Sequence, residues 1–466
     1  MFDIWILAEL MKLQLDWSAY ENAGMGDAYA DIPKQGGDFG KAVAVCIASR
    51  QCERDGKGVM CPSFRISQNP LLSPGGRVKL LKSALNADSD SPALFSPELA
   101  EAMSLCVSCK GCQRECENAV DMATIKAEYL AQVREKNGLS LRSRLFANLP
   151  KLLNWPLTAT LINWRNRSRL ISSAGRRLGI APQMRLPSPQ AAFRAAAVTL
   201  AGAESRPEVV LFVDTFNRHF HPQAAQAALD LLSAAQYTVF TLSNPAGEQQ
   251  ALCCGRTYFA NGMIPEARHQ AHQLLAALQP HIEAGRWIIG LEPSCILSLR
   301  DEYLKLGLGP NAPKLAERVF LLEEFIAREQ TAQRWPLAFT SNGQRLLVHG
   351  HCHQKAVGAM KSMRKVLKSV AGLDFELVET SCCGMAGHFG LESEHYAQAQ
   401  EMAEQALFPA LRAEPEAGII ANGFSCQLQI DHGGFGPARH IAELLYAAIA
   451  QPPERADEIT DRTPLR

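Results

Sequence analysis

The sequence predicts an α/β protein with a helical amino-terminal part, and three observations predict it. In the second half of the chain, short apolar runs alternate with helical runs, which is the pattern of a parallel α/β sheet. The pattern occurs twice, since Cys254 and Cys383 lie 129 positions apart and Cys295 and Cys426 lie 131 apart. Ahead of both repeats, residues 95–136 have helical character around four closely spaced cysteines.

Length and composition allow roughly three globular domains in 466 residues, 47% of which are apolar. The formal net charge is zero, so no nucleic-acid partner is expected. No apolar run is long enough to span a bilayer. The predicted segments are an N-terminal helix and linker (1–37), a helical cysteine-containing domain (38–140), a basic amphipathic connecting segment (141–206), two duplicated α/β Cys-Cys-Gly domains (207–330 and 331–450) and a tail (451–466).

The amino terminus and the cysteine content together predict a cytoplasmic protein. Residues 1–5 carry no basic n-region, and no signal-peptide core or cleavage site follows. Fourteen cysteines without an export signal favour a reducing compartment, where thiols ligate metals rather than pair as disulfides. The apolar periodicity from Ile4 to Trp17 predicts a short amphipathic helix.

The clearest motif is Cys106-x2-Cys109-x2-Cys112-x3-Cys116. Three thiolates at this spacing can close around one iron–sulfur cubane, and the fourth usually reaches a second cluster. Zinc sites instead usually combine two separated Cys-x2-Cys pairs. The motif therefore predicts a ferredoxin-type domain with at least one [4Fe-4S] cluster, in a protein that transfers electrons.

An earlier group of cysteines leaves a second cluster open. Cys61 precedes a proline, as at the end of a ferredoxin motif, and we expect it to complete the cubane of the later motif. Cys46, Cys52 and Cys116 then remain as three thiolates. Ser49 stands where a standard motif has its second cysteine. Either Ser49 or water completes this second site, or it holds a three-iron cluster, or it is empty.

The connecting segment carries ten Lys and Arg and no Asp or Glu between residues 141 and 203. A basic amphipathic segment can lie on an anionic membrane or dock an acidic partner. The alternative is a solvated surface that connects two domains, with a linker marked by prolines at 182, 187 and 189. The aromatic and basic residues interleaved there are Trp155, Trp164, Arg165, Arg167, Arg169, Arg176 and Arg177.

Strands and helices are predicted in the same order in both repeats. The first has strands at Val209–Asp214, Tyr237–Ser243 and Trp287–Glu292, and helices at Gln223–Ala235, Pro265–Ala284 and Leu315–Arg328. The second has strands at Arg345–His349, Phe375–Thr380 and Gly418–Asn422, and helices at Lys355–Val370 and Glu394–Ala413.

Most cysteines of the repeats follow the carboxyl end of a predicted strand, where open α/β sheets form their ligand crevice. The second repeat is therefore expected to hold an iron–sulfur or zinc centre, with Gly384 permitting the turn after the cysteine pair. In the first, Phe216 stands about where the matching cysteine would align, so only a partial site is expected. The candidate ligands are Cys352, Cys382, Cys383 and Cys426 in the second repeat, and Cys253, Cys254 and Cys295 in the first.

Together these motifs resemble the iron–sulfur subunits of glycolate oxidase and anaerobic glycerol-3-phosphate dehydrogenase. They also resemble the catalytic Cys-Cys-Gly subunit of heterodisulfide reductase and the carboxyl-terminal half of fused FAD-linked D-lactate and D-2-hydroxyglutarate dehydrogenases. One departure is that Glu117 replaces the proline that follows the second motif in the family. The stretches that carry the resemblance are 59–63, Cys106–Cys116, Gly138–Arg144, Leu252–Arg256, Glu292–Cys295, His349–Lys355, Ser381–Gly387 and Gly423–Cys426.

The resemblance implies an electron-accepting subunit, in which a partner flavoprotein oxidises a 2-hydroxy acid and electrons pass through iron–sulfur clusters to a quinone or cytochrome. No Gly-x-Gly-x2-Gly fingerprint follows a predicted strand. The resemblance therefore implies that FAD sits on a separate polypeptide, or that the chain comes from a split or truncated fusion. Peripheral attachment to the inner face of the membrane fits this interpretation.

Two other functions remain open. The first is heterodisulfide-type thiol–disulfide chemistry at the Cys-Cys-Gly cluster, with His351, His353 and His388 shuttling protons. The same histidines can instead hydrogen-bond to the cluster ligands. The heterodisulfide relatives use clusters in both halves, so the depleted first repeat argues against this chemistry. The second alternative is a zinc-stabilised interaction module.

Overall fold

The computed structural model describes residues 12–25, 27, 30–54, 56, 58–87, 92–194, 206–242 and 252–450. The prediction of a mixed α/β protein with a helical amino-terminal part is confirmed at that level. No helix among these residues is long and apolar enough to cross a membrane. Residues 4–11 of the predicted first helix and the predicted tail lie outside the described ranges.

The amino-terminal part is built from α-helices. Their starts follow local rules, since Ser73 and Asp121 each accept a hydrogen bond from a backbone N–H of the helix that follows. The helices pack around a core that includes Phe39, Leu81 and Met103. Their bounds are α1 Gly37–Ala44, α2 Pro62–Ser67, α3 Pro74–Asn86, α4 Pro97–Ser104, α5 Gly111–Glu115 and α6 Met122–Asn137.

Residues 12–17 are not helical, so the described part of the predicted first helix is a wrong prediction. The buried carboxylate of Glu128 on α6 accepts hydrogen bonds from the backbone N–H of Leu15 at 2.9 Å and from Trp17 Nε1 at 3.1 Å. Because the side chain of a distant helix satisfies these donors, the segment lies along α6 and needs no helical hydrogen bonds of its own.

The connecting segment folds into four short helices and is not a free linker. Arg165 is 8% exposed and donates to the carbonyls of Met184 at 2.6 Å and Ala181 at 3.0 Å. The proline-rich stretch is therefore held against the segment, and Arg165 is a structural residue rather than part of a docking surface. The helices are α7 Leu141–Ala147, α8 Leu149–Leu152, α9 Thr158–Arg167 and α10 Arg169–Ala174.

The first α/β domain contains a four-stranded parallel sheet in the order β2-β1-β3-β4. The single helix predicted over Leu315–Arg328 is wrong, because a short strand interrupts it. Three apolar residues at a sheet edge have no periodicity that separates them from a helix. The elements are β1 Glu208–Phe212, α11 Thr215–His219, α12 Pro222–Ala234, β2 Thr238–Thr241, α13 Arg256–Phe259, α14 Ile264–Glu283, β3 Trp287–Gly290, α15 Pro293–Ile296, α16 Asn311–Ala316, β4 Val319–Leu321 and α17 Leu322–Thr331.

The second α/β domain contains a three-stranded parallel sheet in the order β8-β6-β9 and a separate two-stranded parallel pair, β5 with β7. Both long helices predicted here are in fact broken. Ala406, with φ −156° and ψ −40°, interrupts the second of them. The elements are β5 Phe339–Thr340, β6 Leu346–His349, α18 Cys352–Ala356, α19 Met360–Lys368, β7 Val370–Ala371, β8 Phe375–Leu377, α20 Tyr396–Glu404, α21 Leu407–Ala413, β9 Gly418–Ala421, α22 Phe424–His432 and α23 Ile441–Ala447.

The central strands of the two sheets are paired in a similar way. Phe212 at the end of β1 pairs with Gly290 of β3, and His349 at the end of β6 pairs with Ala421 of β9. Helix α12 packs on α23, and α17 packs on α19, so each domain contributes an early and a late helix to their contact. Apolar residues from both sheets form one shared core cluster.

Candidate functional site

Four cysteines of the amino-terminal part line one small cavity, and we call them the amino-terminal cysteine set: Cys61, Cys106, Cys109 and Cys112. All four are buried. Cys61 immediately precedes α2, Cys112 lies in α5, and the other two occupy the loop between α4 and α5. The structure thus brings together the four residues that the spacing assigned to one cubane.

Arg77 of α3 places a buried positive charge beside this set. Its side chain donates to Ala102 O at 2.6 Å, Ser63 Oγ at 2.8 Å and Cys61 Sγ at 3.6 Å. Burial opposes ionisation of the thiol, yet the guanidinium holds the pKa of Cys61 below its ordinary value. Among the described contacts this cation faces thiols rather than a carboxylate, so the residues fit an anionic cluster.

The three remaining cysteines of this part are half-buried: Cys46, Cys52 and Cys116. Burial raises the pKa of Cys52, which lies close enough to Cys46 and Cys61 for their charges to interact. The backbone N–H of Gly75 donates to Cys52 Sγ at 3.4 Å. Ser49 is exposed, unlike the three cysteines. A second cluster on these thiols stays a prediction.

The second α/β domain brings four thiols together as the carboxyl-terminal cysteine set: Cys352, Cys382, Cys383 and Cys426. Hydrogen-bond contact with Cys382 lowers the pKa of both Cys352 and Cys383. A ring nitrogen of His349, at the end of β6, and the sulfurs of Cys383 and Cys426 lie within 4.8 Å of one another. The set therefore holds four candidate thiolate ligands and one imidazole.

A lysine supplies this set with a cation, as Arg77 does for the other. Lys355 Nζ donates to Thr380 Oγ1 at 2.6 Å and to the carbonyls of Thr380 and Ser381 at 2.7 and 3.1 Å. Burial shifts the pKa of Lys355 below its ordinary value, and the charges of the surrounding cysteines oppose that shift only in part. Its donors go to neutral oxygens, so the nearby thiols are its anionic counterpart and the site again fits an anionic cluster.

The turn after each cysteine pair requires glycine. Gly384 has φ +88°, and a Cβ there would lie 2.0 Å from the carbonyl oxygen of Ala399. Gly255, with φ +83°, approaches the carbonyl oxygen of Ala267 in the same way, at 2.8 Å. Any other residue at these two positions would be strained, because φ is positive and a Cβ would clash with the neighbouring helix. The turn predicted at Gly384 is therefore present, and its counterpart occurs in the first domain.

The first α/β domain holds the middle cysteine set: Cys253, Cys254 and Cys295. Thr215 opens α11 as Cys352 opens α18, so Thr215 and not Phe216 occupies the position of the missing cysteine. The hydrogen bond that Cys254 donates to Cys295 lowers the pKa of Cys295. Burial and the carboxylates of Asp214 and Glu292 outweigh this effect and raise that pKa to about 12. This set has three thiols and nearby negative charge, which disfavours thiolates.

The three candidate histidines lie close to the carboxyl-terminal set. His351 Nδ1 accepts a hydrogen bond from the backbone N–H of His353 at 3.1 Å. Burial alone would lower the pKa of His351, but the nearby Cys352 outweighs burial and raises that pKa to about 9. His353 Nε2 lies 3.1 Å from Ser108 O, which joins it to the amino-terminal motif. His388 stacks on Phe146 with ring centroids 4.9 Å apart.

The amino-terminal and carboxyl-terminal sets adjoin each other. Cys109 and Cys352 belong to one small buried cluster with Val59, and the charge of Cys352 helps raise the pKa of Cys109 after burial itself. Ser381 Oγ donates to Val59 O at 2.5 Å. Two candidate redox centres would therefore lie next to each other across Cys109, Cys352 and Val59.

Sequence reasoning missed Arg77, His349 and Lys355. Each is distant in sequence from part of the set that it serves, and a lone Arg, His or Lys carries no spacing signal. His349 and Lys355 lie within a stretch that carries the family resemblance, so that stretch was the available signal. For Arg77 no sequence signal existed, except that it follows Cys61 closely in the sequence.

Part of the chain matches a known cysteine-rich family. Residues 346–431 match the family described as CCG, a cysteine-rich domain. The chain is 25% identical over 444 residues to D-2-hydroxyglutarate dehydrogenase of Escherichia coli (strain K12), and the match covers 85% of this chain and 42% of that protein. It is 23% identical over 470 residues to D-2-hydroxyglutarate dehydrogenase of Pantoea ananatis (strain AJ13355), covering 90% and 44%.

A third relative belongs to a larger enzyme. It is one of the subunits of anaerobic glycerol-3-phosphate dehydrogenase of Escherichia coli (strain K12), 25% identical over 256 residues, and the match covers 53% of this chain and 61% of that subunit. The chain spans less than half the length of the D-2-hydroxyglutarate dehydrogenases that it matches. The relatives are dehydrogenases, which supports an enzyme-related role in oxidation–reduction and confirms the predicted resemblance at that level.

Proposed function

We propose that the chain is the iron–sulfur electron-transfer part of a flavin-dependent 2-hydroxy-acid dehydrogenase of the glycolate, D-lactate or D-2-hydroxyglutarate type. FAD is carried by a partner chain or by another part of a longer protein. The observation that carries the proposal is the pair of adjoining cysteine sets, each with a cation that faces thiols. An iron–sulfur cluster, when bound, accepts and passes on single electrons.

The residues of the chain have distinct parts in this function. Cys61, Cys106, Cys109 and Cys112 hold a [4Fe-4S] cluster, and Arg77 stabilises its negative charge. The carboxyl-terminal set holds a further iron–sulfur or zinc centre, with Lys355 in the role of Arg77. Cys46, Cys52 and Cys116 remain the candidates for a second ferredoxin-type cluster. The two α/β domains are repeats of one unit, in which the first retains only a partial site.

The partner and the location follow from the same reasoning. Electrons enter from the flavin and leave to a quinone or a cytochrome, and the chain works in the cytoplasm at the inner face of the membrane. The related anaerobic glycerol-3-phosphate dehydrogenase has, by its name, more than one subunit, which supports a partner chain here. Heterodisulfide-type chemistry is the second candidate, supported by the buried His351 and His353 beside Cys352.

The test is anaerobic purification of the chain with measurement of iron, acid-labile sulfide and the EPR spectrum after reduction. We expect Cys109→Ala to lose one cluster's iron and its signal, whereas Cys295→Ala in the middle set keeps both. A colourless, oxygen-stable protein that contains zinc alone would overturn the proposal.

A second measurement addresses the partner. Capture with the anaerobically purified chain should retain a flavoprotein that oxidises a 2-hydroxy acid, and its substrate profile names the acid. Reductive cleavage of disulfide substrates by the chain alone would favour the heterodisulfide candidate instead.

A further inference from the structure

A cavity of about 240 Å³ lies beside the amino-terminal and carboxyl-terminal cysteine sets. Cys106 and Val107 form one wall, and Cys352 forms another. The cavity is therefore in contact with both candidate redox centres. A cavity of roughly 150 Å³ already accommodates a benzene ring, so this one has room for a single-ring molecule and part of a side chain.

The lining of the cavity is mainly apolar and aromatic. Phe424 stacks on Phe216 with ring centroids 4.9 Å apart, and Phe220 lies 4.8 Å from it. These rings come from both α/β domains and pack against one another in the wall of the cavity. Apolar pockets with a few convergent polar groups are typical of small-molecule sites.

Three histidines, His351, His353 and His388, provide polar groups in this lining, together with the charged side chains of Lys126, Arg256, Glu292 and Glu392. His353 is 3% exposed; its Nε2 contacts Ser108 O, and its Nδ1 has no hydrogen-bond partner among the described residues. His388 has a side chain that is 28% exposed, and its Nδ1 lies 3.2 Å from Glu392. An unpartnered buried nitrogen is costly unless a ligand or water satisfies it. His353 Nδ1 therefore indicates a ligand with a hydrogen-bonding group.

The connecting segment closes the cavity on a further side with Leu149, Ile162 and Leu186. Its outer face is unusual. Of the eleven large hydrophobic side chains that are exposed in the described part of the chain, seven lie between residues 141 and 178: Leu141, Trp155, Leu157, Leu161, Trp164, Leu170 and Leu178.

On helix α9 and its N-cap residue the exposed apolar residues form one stripe. Leu157, Leu161 and Trp164 follow one another at the spacing of a single helix face. Exposed Arg167 and Arg169 flank the stripe, and residues 141–203 include no Asp or Glu. Apolar and aromatic residues on a basic helix fit the surface of an anionic bilayer. The cavity thus lies directly behind a face that suits a membrane.

We propose that this cavity binds a membrane quinone. The connecting segment lies on the surface of the bilayer, and the quinone enters the cavity from there. The inference rests on the proposed electron-transfer function and names its acceptor and site. A quinone meets each observed requirement, because it is a flat apolar ring whose carbonyl oxygens accept protons once it is reduced. A cytochrome docks on a surface and does not occupy an enclosed cavity.

The reaction balances without an additional reagent. The hydroxyl-bearing carbon of a 2-hydroxy acid loses two electrons to the flavin partner and becomes a 2-oxo acid. The same oxidation releases two protons to solvent at the flavin partner. Two electrons reach the quinone, and two protons taken up from solvent form one O–H bond at each carbonyl oxygen to give the hydroquinone, so electrons and protons balance. His388, which is partly exposed to solvent, donates a proton at one oxygen. His353 Nδ1 accepts a hydrogen bond from the hydroxyl group formed at the other.

The test uses the anaerobically purified full chain and a decyl-substituted benzoquinone as the probe. Equilibrium dialysis measures binding without any partner. We expect saturable binding that Ile162→Trp, which fills the cavity, weakens by at least about tenfold. Thr160→Trp, on the outer side of the same helix, is the matched control and should bind as the wild type does. Leu149→Trp repeats the test from α8 in case the first variant misfolds.

Electron transfer provides a second readout. After chemical reduction of the chain, Ile162→Trp should slow reduction of the probe but leave the rate with ferricyanide unchanged, because ferricyanide reacts at the surface. Flotation with anionic vesicles should be lost when Trp164, Arg167 and Arg169 are changed to Ser, while dialysis binding persists.

The outcomes separate this inference from the proposed function. Reducible iron–sulfur centres together with no saturable quinone binding, or equal affinity in Ile162→Trp and Thr160→Trp, would overturn the cavity assignment alone. Quinone binding by a chain without iron would overturn the proposed function and leave the cavity assignment in place. Failure to float with anionic vesicles would overturn the membrane route.

Discussion

The two α/β domains have similarly paired central strands but differ in the charged groups beside their cysteines. In the second, Lys355 and His349 lie among four thiols. In the first, Cys295 lies near the carboxylates of Asp214 and Glu292, and the charge of Glu292 also reaches Cys426 of the second. A thiolate is stabilised by a nearby cation and destabilised by a nearby anion, so we expect metal ligation to be more favourable in the second domain than in the first.

The cation that follows the cysteine pair of the first domain is paired with a carboxylate. Arg256, which follows the first Cys-Cys-Gly, forms an ion pair with Glu302, and Lys110 pairs with the same residue at 2.8 Å. Lys110 also reaches Asp301 at 2.6 Å. This network joins the first domain to the amino-terminal motif.

The largest expected effect tests the asymmetry directly. Cys383→Ser should remove a metal centre from the second domain and most electron transfer, because it deletes one of four clustered thiols. Cys254→Ser, the matched change in the first domain, should leave the metal content close to that of the wild type. Metal analysis and reduction of an artificial acceptor by both variants check this. Equal losses would mean that the domains share one site or hold one each.

A gain of metal is the next largest effect. Thr215 occupies the position of Cys352, so Thr215→Cys supplies the first domain with a fourth thiol. We expect this change alone to add little iron, because the carboxylate of Asp214 remains. Combined with Asp214→Asn, which keeps an N-cap residue on α11, it should add more. If the single variant binds as much iron as the double, ligand number and not charge distinguishes the domains.

The stability of the first domain should depend on pH through Asp214. Burial and then the charge of Glu292 raise the pKa of Asp214 to about 6, whereas an unfolded aspartate titrates near ~3.9. The folded state holds the proton between these values, so stability falls as pH rises from about 4 to about 6, by up to about 3 kcal/mol. Urea unfolding midpoints at the two ends of that window should show this for the wild type.

Asp214→Asn is the control for this dependence, since it removes the titrating group and keeps the cap. Its unfolding midpoint should vary less over the same window. An identical pH profile in the variant and the wild type would assign the dependence to other groups, of which Glu323 is one, because burial raises its pKa to about 7.

The smallest expected effect concerns the cation of the second domain. Removing the charge of Lys355 by Lys355→Met should lower the reduction potential of the bound centre, because the reduced form is more negative. One charge at an effective dielectric constant near ~20 contributes on the order of 2 kcal/mol, or roughly 100 mV for one electron. Exposed Lys361→Met is the matched control. Redox titration followed by EPR measures both, and equal potentials would show that Lys355 has only a structural role.

The sequence by itself determined the features that depend on local spacing. The Cys-x2-Cys-x2-Cys-x3-Cys register placed three thiols on one loop and helix, and the alternation of apolar and helical runs located the central strand of each sheet. The strand at Val319–Leu321 was missed, because three apolar residues carry no period. The cysteines at strand ends were predictable, since parallel strands bring their carboxyl ends to one edge.

Only the tertiary structure decided which charges surround each cysteine set. Arg77 reaches Cys61 from another helix. The tertiary structure likewise decided the role of Arg165, which donates to the carbonyls of Ala181 and Met184 and does not face a partner. The helix starts showed that Thr215 takes the place of Cys352. Burial and charge proximity depend on packing between segments far apart in the chain. No local pattern encodes them, yet they decide where a thiolate is stable.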